Sequence, residues 1–383
     1  MIKKNLILII CFLFTTSSFP FPIQKQAPDC QKTFRFETQN GIRTAINSET
    51  PLFGELTLEL EKEFEIDTEK NDEIEYGRFR DLILNQNGDI YALCHKPSSY
   101  HSVIYVFKKT GELKQSISLY KEMSKEIQPI AIISNQETND IYVYEQSQEY
   151  LSAFDRTGNF KDKMKLPGDL ESCVHLQDSE FLGVFRELRE SEYYHFLSRF
   201  RFQGDVSLPL MEAPYTIYYQ KKGKISYVGF LDCAFRIILA KRGRNSYVAG
   251  YSKKYQLDVF NRKNQPQLRI ICEKPIPQFT KRELLSLRAQ LSQDHKPFYY
   301  LFLTDEQNRI FVVRDDIRDM DLTTWECDVF GKKGVYLYHT EIPARTKVIK
   351  NGSLLALSRN FESRSTRLIQ YRVLNWEDIK ESY

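Results

Sequence analysis

The side chains able to do chemistry in this chain are few and scattered. His95, His101, His175, His195, His295 and His339 include no two at metal-binding spacing, and none sits in a nucleophile motif. No glycine-rich phosphate loop, nucleophile elbow or pair of helical carboxylates is present. The seven cysteines have no short-spaced pair of the kind that binds zinc or runs redox chemistry. The pattern assigns no catalytic residue, metal or cofactor. What it offers is recognition: Arg80, Arg236, Lys347 and Tyr300 are three cations and an aromatic, suited to an anionic or sugar-like ligand. They can act together only if the fold brings them to one place.

A repeated phrase supplies that fold. Six times between residues 80 and 375 an apolar pair follows a turn, and an alternating strand then ends in an aromatic. The aromatics are Phe107, Phe154, Phe200, Phe260, Phe330 and Tyr371, and four positions later stand Gly111, Gly158, Gly204, Asn264, Gly334 and Asn375. Gly and Asn tolerate the positive φ of tight hairpins. All-strand repeats of this length are the signature of a β-propeller, one blade per repeat. The expected fold is therefore all-β, a six-bladed β-propeller over residues 53–378. The inner strands should begin near Arg80-Asp81, Pro129-Ile130, Ser172-Cys173, Arg236-Ile237, Tyr300-Leu301 and Lys347-Val348, which puts the four candidates at one mouth of the ring. Of the residues in those pairs only Asp81 is a hard oxygen ligand, so no shared calcium ring emerges.

Successive aromatics are 47, 46, 60, 70 and 41 residues apart, so the fourth and fifth repeats carry insertions. One contains Thr280-Lys281-Arg282-Glu283, a capping box, with Leu284, Leu287 and Leu291 on one helical face, and predicts a short helix over about Lys281 to Ser292. Before the first repeat, Leu56, Leu58, Leu60, Phe64 and Ile66 alternate with glutamates and threonine, a half-buried strand from Leu56 to Ile66. Its placement predicts ring closure by pairing with the last repeat around Leu368 to Val373, leaving no open sheet edge.

Lys3 and Lys4 precede an apolar run from Leu6 to Phe14 and small residues at Thr16 and Ser18, which reads as a signal peptide over residues 1–18. The run falls short of the about 20 residues needed to span a bilayer. Export to the periplasm or medium is expected, with no membrane span after cleavage. Residues 19–52, with Pro20, Pro22, Pro28 and Pro51, read as a poorly ordered leader. Outside the signal, Cys30, Cys94, Cys173, Cys233, Cys272 and Cys327 permit fifteen full pairings, though buried thiols in apolar strands are the simpler reading. A net charge of +3 implies no strong field for nucleic acid. The cluster Lys221, Lys222, Lys224, Lys241, Arg242 and Arg244 reads as solvated strand faces and loops. Asn351-Gly352-Ser353 matches a glycosylation triplet, but Asn-Gly between two apolar runs is first a hairpin turn.

The phrases Asn87-Gly88-Asp89-Ile90-Tyr91, Val106-Phe107-Lys108-Lys109-Thr110-Gly111 and Ala153-Phe154-Asp155-Arg156-Thr157-Gly158 resemble the six-bladed, NHL-like β-propellers of exported bacterial proteins. The resemblance covers roughly residues 55 to 375, and departs from the group at Arg80 and Ser172, where proline is common. It implies the fold and is nearly mute on activity, since propellers host many functions. The expected role is a binding or scaffold module, monomeric, whose partner is a protein or a small anionic or sugar-like ligand. The alternatives are a hydrolase or lyase working in the central channel and a carbohydrate-recognising sensor.

Overall fold

Each copy of the repeated phrase becomes the same piece of structure. The aromatic closes the third strand of a blade, opposite the apolar start of the second: Ile90 faces Phe107, Ile141 Phe154, Phe181 Phe200, Tyr247 Phe260, Ile310 Phe330 and Leu354 Tyr371. At five of the six aromatics the register toward the fourth strand shifts, a bulge that bends the strand into its turn. The computed structural model describes residues 33–71, 74, 77–96, 101–119, 129–135, 137–145, 149–190, 192–215, 218–221, 224–227, 235–279, 290–291, 295–315, 322–359 and 365–380.

The result is a six-bladed all-β propeller. Blade 1 comprises Arg78–Leu84, Ile90–Lys96, His101–Phe107 and Leu113–Ser118. Blade 2 comprises Pro129–Ser134, Ile141–Glu145, Tyr150–Phe154 and Phe160–Lys165. Blade 3 comprises Asp169–Gln177, Glu180–Arg189, Glu192–Arg201 and Met211–Pro214. Blade 4 comprises Ile237–Arg242, Ser246–Tyr251, Gln256–Asn261 and Pro266–Glu273. Blade 5 comprises Leu301–Thr304, Ile310–Val313, Thr324–Phe330 and Tyr336–Pro343. Blade 6 takes Thr346–Lys350, Ser353–Arg359 and Thr366–Val373 from the chain's end and Leu60–Asp67 from its beginning. The first strand of each blade touches its counterpart in the next, and these inner strands ring the axis. Six apolar clusters form the core, one between each pair of neighbouring blades. That joining blades 6 and 1, for instance, packs Ile66, Leu355 and Leu368 on Leu82, Ile90 and Phe107.

Closure follows the expected pairing: Leu368 lies opposite Ile66 and Val373 opposite Leu60, antiparallel. The alternating segment is not one strand, however. Glu55–Leu56 runs parallel beside His339–Thr340 on the outer edge of blade 5 before Leu60–Asp67 enters blade 6. The expected leader needs correcting as well. Residues 34–48 form a hairpin, Phe34–Gln39 with Ile42–Ser48, and the second arm adds parallel to Pro266–Glu273 of blade 4. Its Ala45, Ile46 and Asn47 are buried, and Asn47 donates to the Ile271 and Gly334 carbonyls, so apolar and polar contacts fix a segment whose prolines suggested looseness. The preceding residues of that leader and the signal segment lie outside the described residues.

The inserted helix is not seen where it can be judged. Most of Lys281 to Ser292 lies outside the described residues, and Gln290–Leu291 at its end is a strand. That strand joins Tyr218–Lys221 and Lys224–Tyr227 in a small separate sheet, so tertiary pairing overrides the helical spacing there. Among the described residues the only helical element is the 3₁₀ turn Trp376–Asp378. No helix is long and apolar enough to cross a membrane among them.

The turn residues explain why the phrase repeats. Gly111 has φ +85°, and a Cβ there would lie 2.8 Å from Cγ of Phe64 in the closing strand. Gly334 is matched in kind, its Cβ falling 2.9 Å from Ile270 of blade 4. The turn of one blade thus sits against the outer strand of its predecessor, with room for no side chain. In blade 3 the positive φ passes to Gln203, and Asn375 at φ −99° instead precedes the 3₁₀ turn. Asn351 and Gly352 both have positive φ, the mirror-image hairpin turn expected of Asn-Gly. Gly111→Ala will therefore combine left-handed strain with overpacking, each roughly 1–3 kcal/mol. Chemical denaturation should register at least the smaller sum, and a midpoint within error of the parent would refute the packing role.

Candidate functional site

The inner strands present an aliphatic wall to the axis, and their ends carry the charges. A cavity of about 1180 Å³ opens there, lined from all six blades, with Ile83, Ile133, Val174 and Val348 among its apolar residues. Its polar lining gathers at the mouth where the inner strands end: Glu137, Lys241, Arg244, Glu306 and Lys350. The acids are already engaged. Glu137 accepts from the Asp178 amide at 3.3 Å and lies 3.9 Å from Arg244, and Glu306 accepts from the Asn351 amide at 2.7 Å. Asp305, buried, takes the Nε of Arg309 at 2.5 Å, while Arg309 also donates to the Ile379 carbonyl and lies 4.3 Å over the Trp376 ring. Lys241 and Lys350 have no carboxylate at ion-pair distance among the described residues. Burial lowers the Lys241 pKa, with Glu137 opposing and Arg244 adding to the fall.

His175, on the cavity wall, is buried, and its Nε2 lies 2.8 Å from the Asp178 carbonyl. A carbonyl only accepts, so Nε2 carries the proton. Burial depresses its pKa and keeps the ring neutral, as expected of a hydrogen-bonded core histidine. Cys173 beside it is a free thiol pushed upward by burial. Cys94, Cys272 and Cys327 are also free and buried, while Cys30 and Cys233 lie outside the described residues.

At the opposite mouth, where the inner strands begin, four blades share a device. Their pairing with the second strand skips one residue: Arg80 in blade 1, Ile130 in blade 2, Glu171 in blade 3 and Lys347 in blade 6. Such bulges free a side chain from the ladder and re-aim it. The two inner strands without them belong to blades 4 and 5. Two of the four sequence candidates, Arg80 and Lys347, are thus bulge residues of adjacent blades. Lys347 lines the cavity and lies 3.4 Å from Asp81, whose other oxygen accepts from the Ile132 amide, tying blades 6, 1 and 2. Arg80 is exposed. Arg236 is half-buried with its guanidinium 5.5 Å over Tyr215, which stacks on buried His195 at 4.1 Å. Tyr300 is half-buried and gives its amide to Val313. Of the four, only Lys347 is among the residues lining the cavity. Lys241 and Arg244 are functional candidates that the sequence showed as a basic cluster without showing what it faced.

One constellation has the composition of an active site and the position of a joint. Asp328, fully buried, takes Lys274 Nζ at 2.8 Å, Tyr336 Oη at 2.6 Å, His339 Nδ1 at 3.2 Å and the Tyr255 hydroxyl. Tyr255 and Lys274 flank strands of blade 4 and the others belong to blade 5. Both carboxylate oxygens are occupied by protein donors, which makes the group a clamp between blades. Among the described residues no three of His, Cys, Asp and Glu are grouped to hold a metal ion.

No family model matches the chain, and no curated protein matches it by sequence. Among solved structures it is similar to a protein of Bacteroides fragilis whose given name calls it exported: TM-score 0.53 and 14% identity, covering 86% of this chain and 99% of that one. A member of the DUF4221 family from Bacteroides vulgatus follows at TM-score 0.43 and 11% identity, covering 82% and 98%. The WD40 repeats of RRP9 give 0.46 and 8%, covering 82% and 100%. At these identities the likeness is one of fold.

Proposed function

We propose that the chain is an exported propeller of the NHL-like kind that binds a small anionic, sugar-like ligand in its channel. The observation carrying this is the charge balance of the cavity. Its acids are engaged by backbone amides and by arginines, whereas Lys241 and Lys350 keep their charge free at one mouth and Lys347 enters from the other. Aliphatic walls with a few convergent polar groups are the usual build of a small-molecule site. Export is supported by the positive start and short apolar run at residues 1–18, and by the name of the structural relative from Bacteroides fragilis.

Trigalacturonate, a sugar with three carboxylates, is a suitable probe, with maltotriose as its uncharged control. Calorimetry should show trigalacturonate binding, maltotriose not, and an affinity about tenfold lower in Lys241→Ala, some 1.4 kcal/mol. Equal behaviour of the two sugars, or no change in the variant, would overturn the reading. The rival, a hydrolase or lyase in the same channel, is separated by recovering the probe: a binding module returns it intact.

A further inference from the structure

The hairpin at 34–48 lengthens the sheet of blade 4 from four strands to six, so its outer arm stands about 10 Å beyond the blade's own last strand, two strand spacings. Phe34–Gln39 ends that sheet, and among the described residues no strand pairs with its outer side. A free edge is a template for another chain, and folds usually blunt it with lysines, proline, a bulge or shortness. The other outer strands are treated so. Phe160–Lys165 of blade 2 carries Lys161, Lys163 and Lys165, while Leu113–Ser118 of blade 1 and Leu60–Asp67 of blade 6 are bulged. Met211–Pro214 of blade 3 is only four residues long, and Tyr336–Pro343 of blade 5 is partly covered by Glu55–Leu56. Phe34–Gln39 has no lysine or proline and pairs with Ile42–Ser48 without a register shift.

Its turn fixes which backbone groups face outward. Asn40 and Gly41 both have positive φ, a two-residue turn, so Gln39 and Ile42 beside it exchange both backbone bonds. The exchange recurs at every second pair, Glu37 with Thr44 and Arg35 with Ile46, which turns the N–H and C=O of Phe36 and Thr38 away from the sheet. Side chains alternate in step. Arg35 and Glu37 share one face, both exposed, with Nε 2.9 Å from Oε1. Phe36 stands on the other face, 38% exposed, with the Arg43 guanidinium 4.3 Å over its ring.

We infer that this edge pairs with the same edge of a second copy of the chain, antiparallel about a two-fold axis at Phe36. In that register Phe36 exchanges backbone bonds with Phe36 of the second copy, and Thr38 stands opposite Phe34. Arg35 stands opposite Glu37, once on each side of the axis. The charges are complementary in that register alone. Slipping by two residues sets Arg35 against Arg35 or Glu37 against Glu37, and slipping by one sets outward backbone groups against inward ones. The two Phe36 rings meet on the opposite face, which takes an exposed apolar side chain out of water. Four hairpin arms then lie between the two fourth blades and keep the rings apart. One strand from each copy makes a small joint, so the dimer is weak and concentration-dependent. A dimer of this kind replaces the monomer expected from the sequence.

Sedimentation velocity of the full-length protein should show monomer at about 1 μM and dimer at about 100 μM, as befits a small interface. Arg35→Glu and Glu37→Arg should each weaken self-association tenfold or more, since each sets like charges opposite. An equimolar mixture of the two variants should recover the dimer as a heterodimer, because each copy then supplies the charges the other lacks. Phe36→Pro removes the outward N–H at the axis without removing a bond of its own sheet. It should stay monomeric and, when dilute, melt within a few degrees of the parent. The inference fails if the parent is monomeric throughout, if the variants associate like the parent, which puts the contact elsewhere, or if the mixture associates no better than its parts. Should a monomeric parent dimerise only once residues 19–32 are removed, the occupant of the edge is the chain's own leader and not a second copy.

Discussion

Replacing Leu60–Asp67 with a glycine–serine stretch of equal length will lower the melting temperature of the whole ring by about 10 °C or more. The strand pairs along Arg367 to Val373 and brings Ile66 into the core between blades 6 and 1, with Phe64 packed against the same cluster. A buried aliphatic or aromatic side chain contributes about 1.5–3 kcal/mol. With the ladder added, the loss approaches half of a typical stability of 5–15 kcal/mol. It also strips the outer strand against which Gly111 of blade 1 is fitted. A propeller opened at one blade loses a cluster on each side of the gap, so unfolding should stay cooperative and shift as a unit. The comparison is the same replacement of Phe34–Gln39, which leaves blade 4 its own four strands and most of the second hairpin arm's contacts. That variant should melt within a few degrees of the parent. If both variants melt alike, or hydrogen exchange shows only blade 6 opening, closure by this strand is not what stabilises the ring.

Closure was legible because period-two alternation survives any context in which one face is buried. The six aromatics were legible for a related reason. Five of the six sit at a bulge where a third strand turns, a position whose shape demands a large apolar side chain and then a residue tolerant of positive φ four places later. The hairpin at 34–48 was hidden because Arg35, Phe36, Glu37 and Thr38 all face water on a free edge, which leaves the outer arm no alternation to read. What fixes it is a parallel pairing with Leu268–Glu273, more than two hundred residues away. The helix over Lys281 to Ser292 was expected from local capping and spacing, and Leu291 is in fact claimed by a sheet partner, Tyr219, remote in sequence.

The site was legible by position and not by occupancy. Counting from the repeats placed Arg80 and Lys347 at the start of inner strands, and bulges do turn both out of the ladder there. Nothing in the repeats told Arg236 from them, yet the pairing of its blade's inner strand has no bulge and its guanidinium packs over Tyr215. Lys241 and Arg244 read as surface charge in the sequence because residues at and just past a strand's end look alike whether they face solvent or a channel.

Asp328→Asn will be the most damaging single substitution of a charged side chain, costing about 3–5 kcal/mol. The change keeps shape and removes the charge, which leaves the ammonium of Lys274, itself nearly buried, facing an amide and two tyrosine hydroxyls. Burial alone would raise the Asp328 pKa, but the hydrogen bond from His339, Lys274 and the nearby Arg314 outweigh it and hold the carboxyl well below the usual carboxylate range. A depressed folded pKa fixes the sign. The stabilisation is complete above the unfolded-state value near 3.9 and is lost as pH falls below it toward the folded pKa. The parent protein should therefore lose stability on acidification below about pH 4 more steeply than Asp328→Asn. Removing the buried cation together with the carboxylate, as Asp328→Asn with Lys274→Met, should recover part of the loss, because the single change strands a charge and the double change does not. A catalytic carboxylate would behave the other way. Its substitution would leave the melting temperature alone or raise it, since a site held for chemistry stores strain that neutralisation relieves. A melting temperature for Asp328→Asn equal to the parent's would thus take the residue out of the joint between blades 4 and 5 and put it forward as a reactive group.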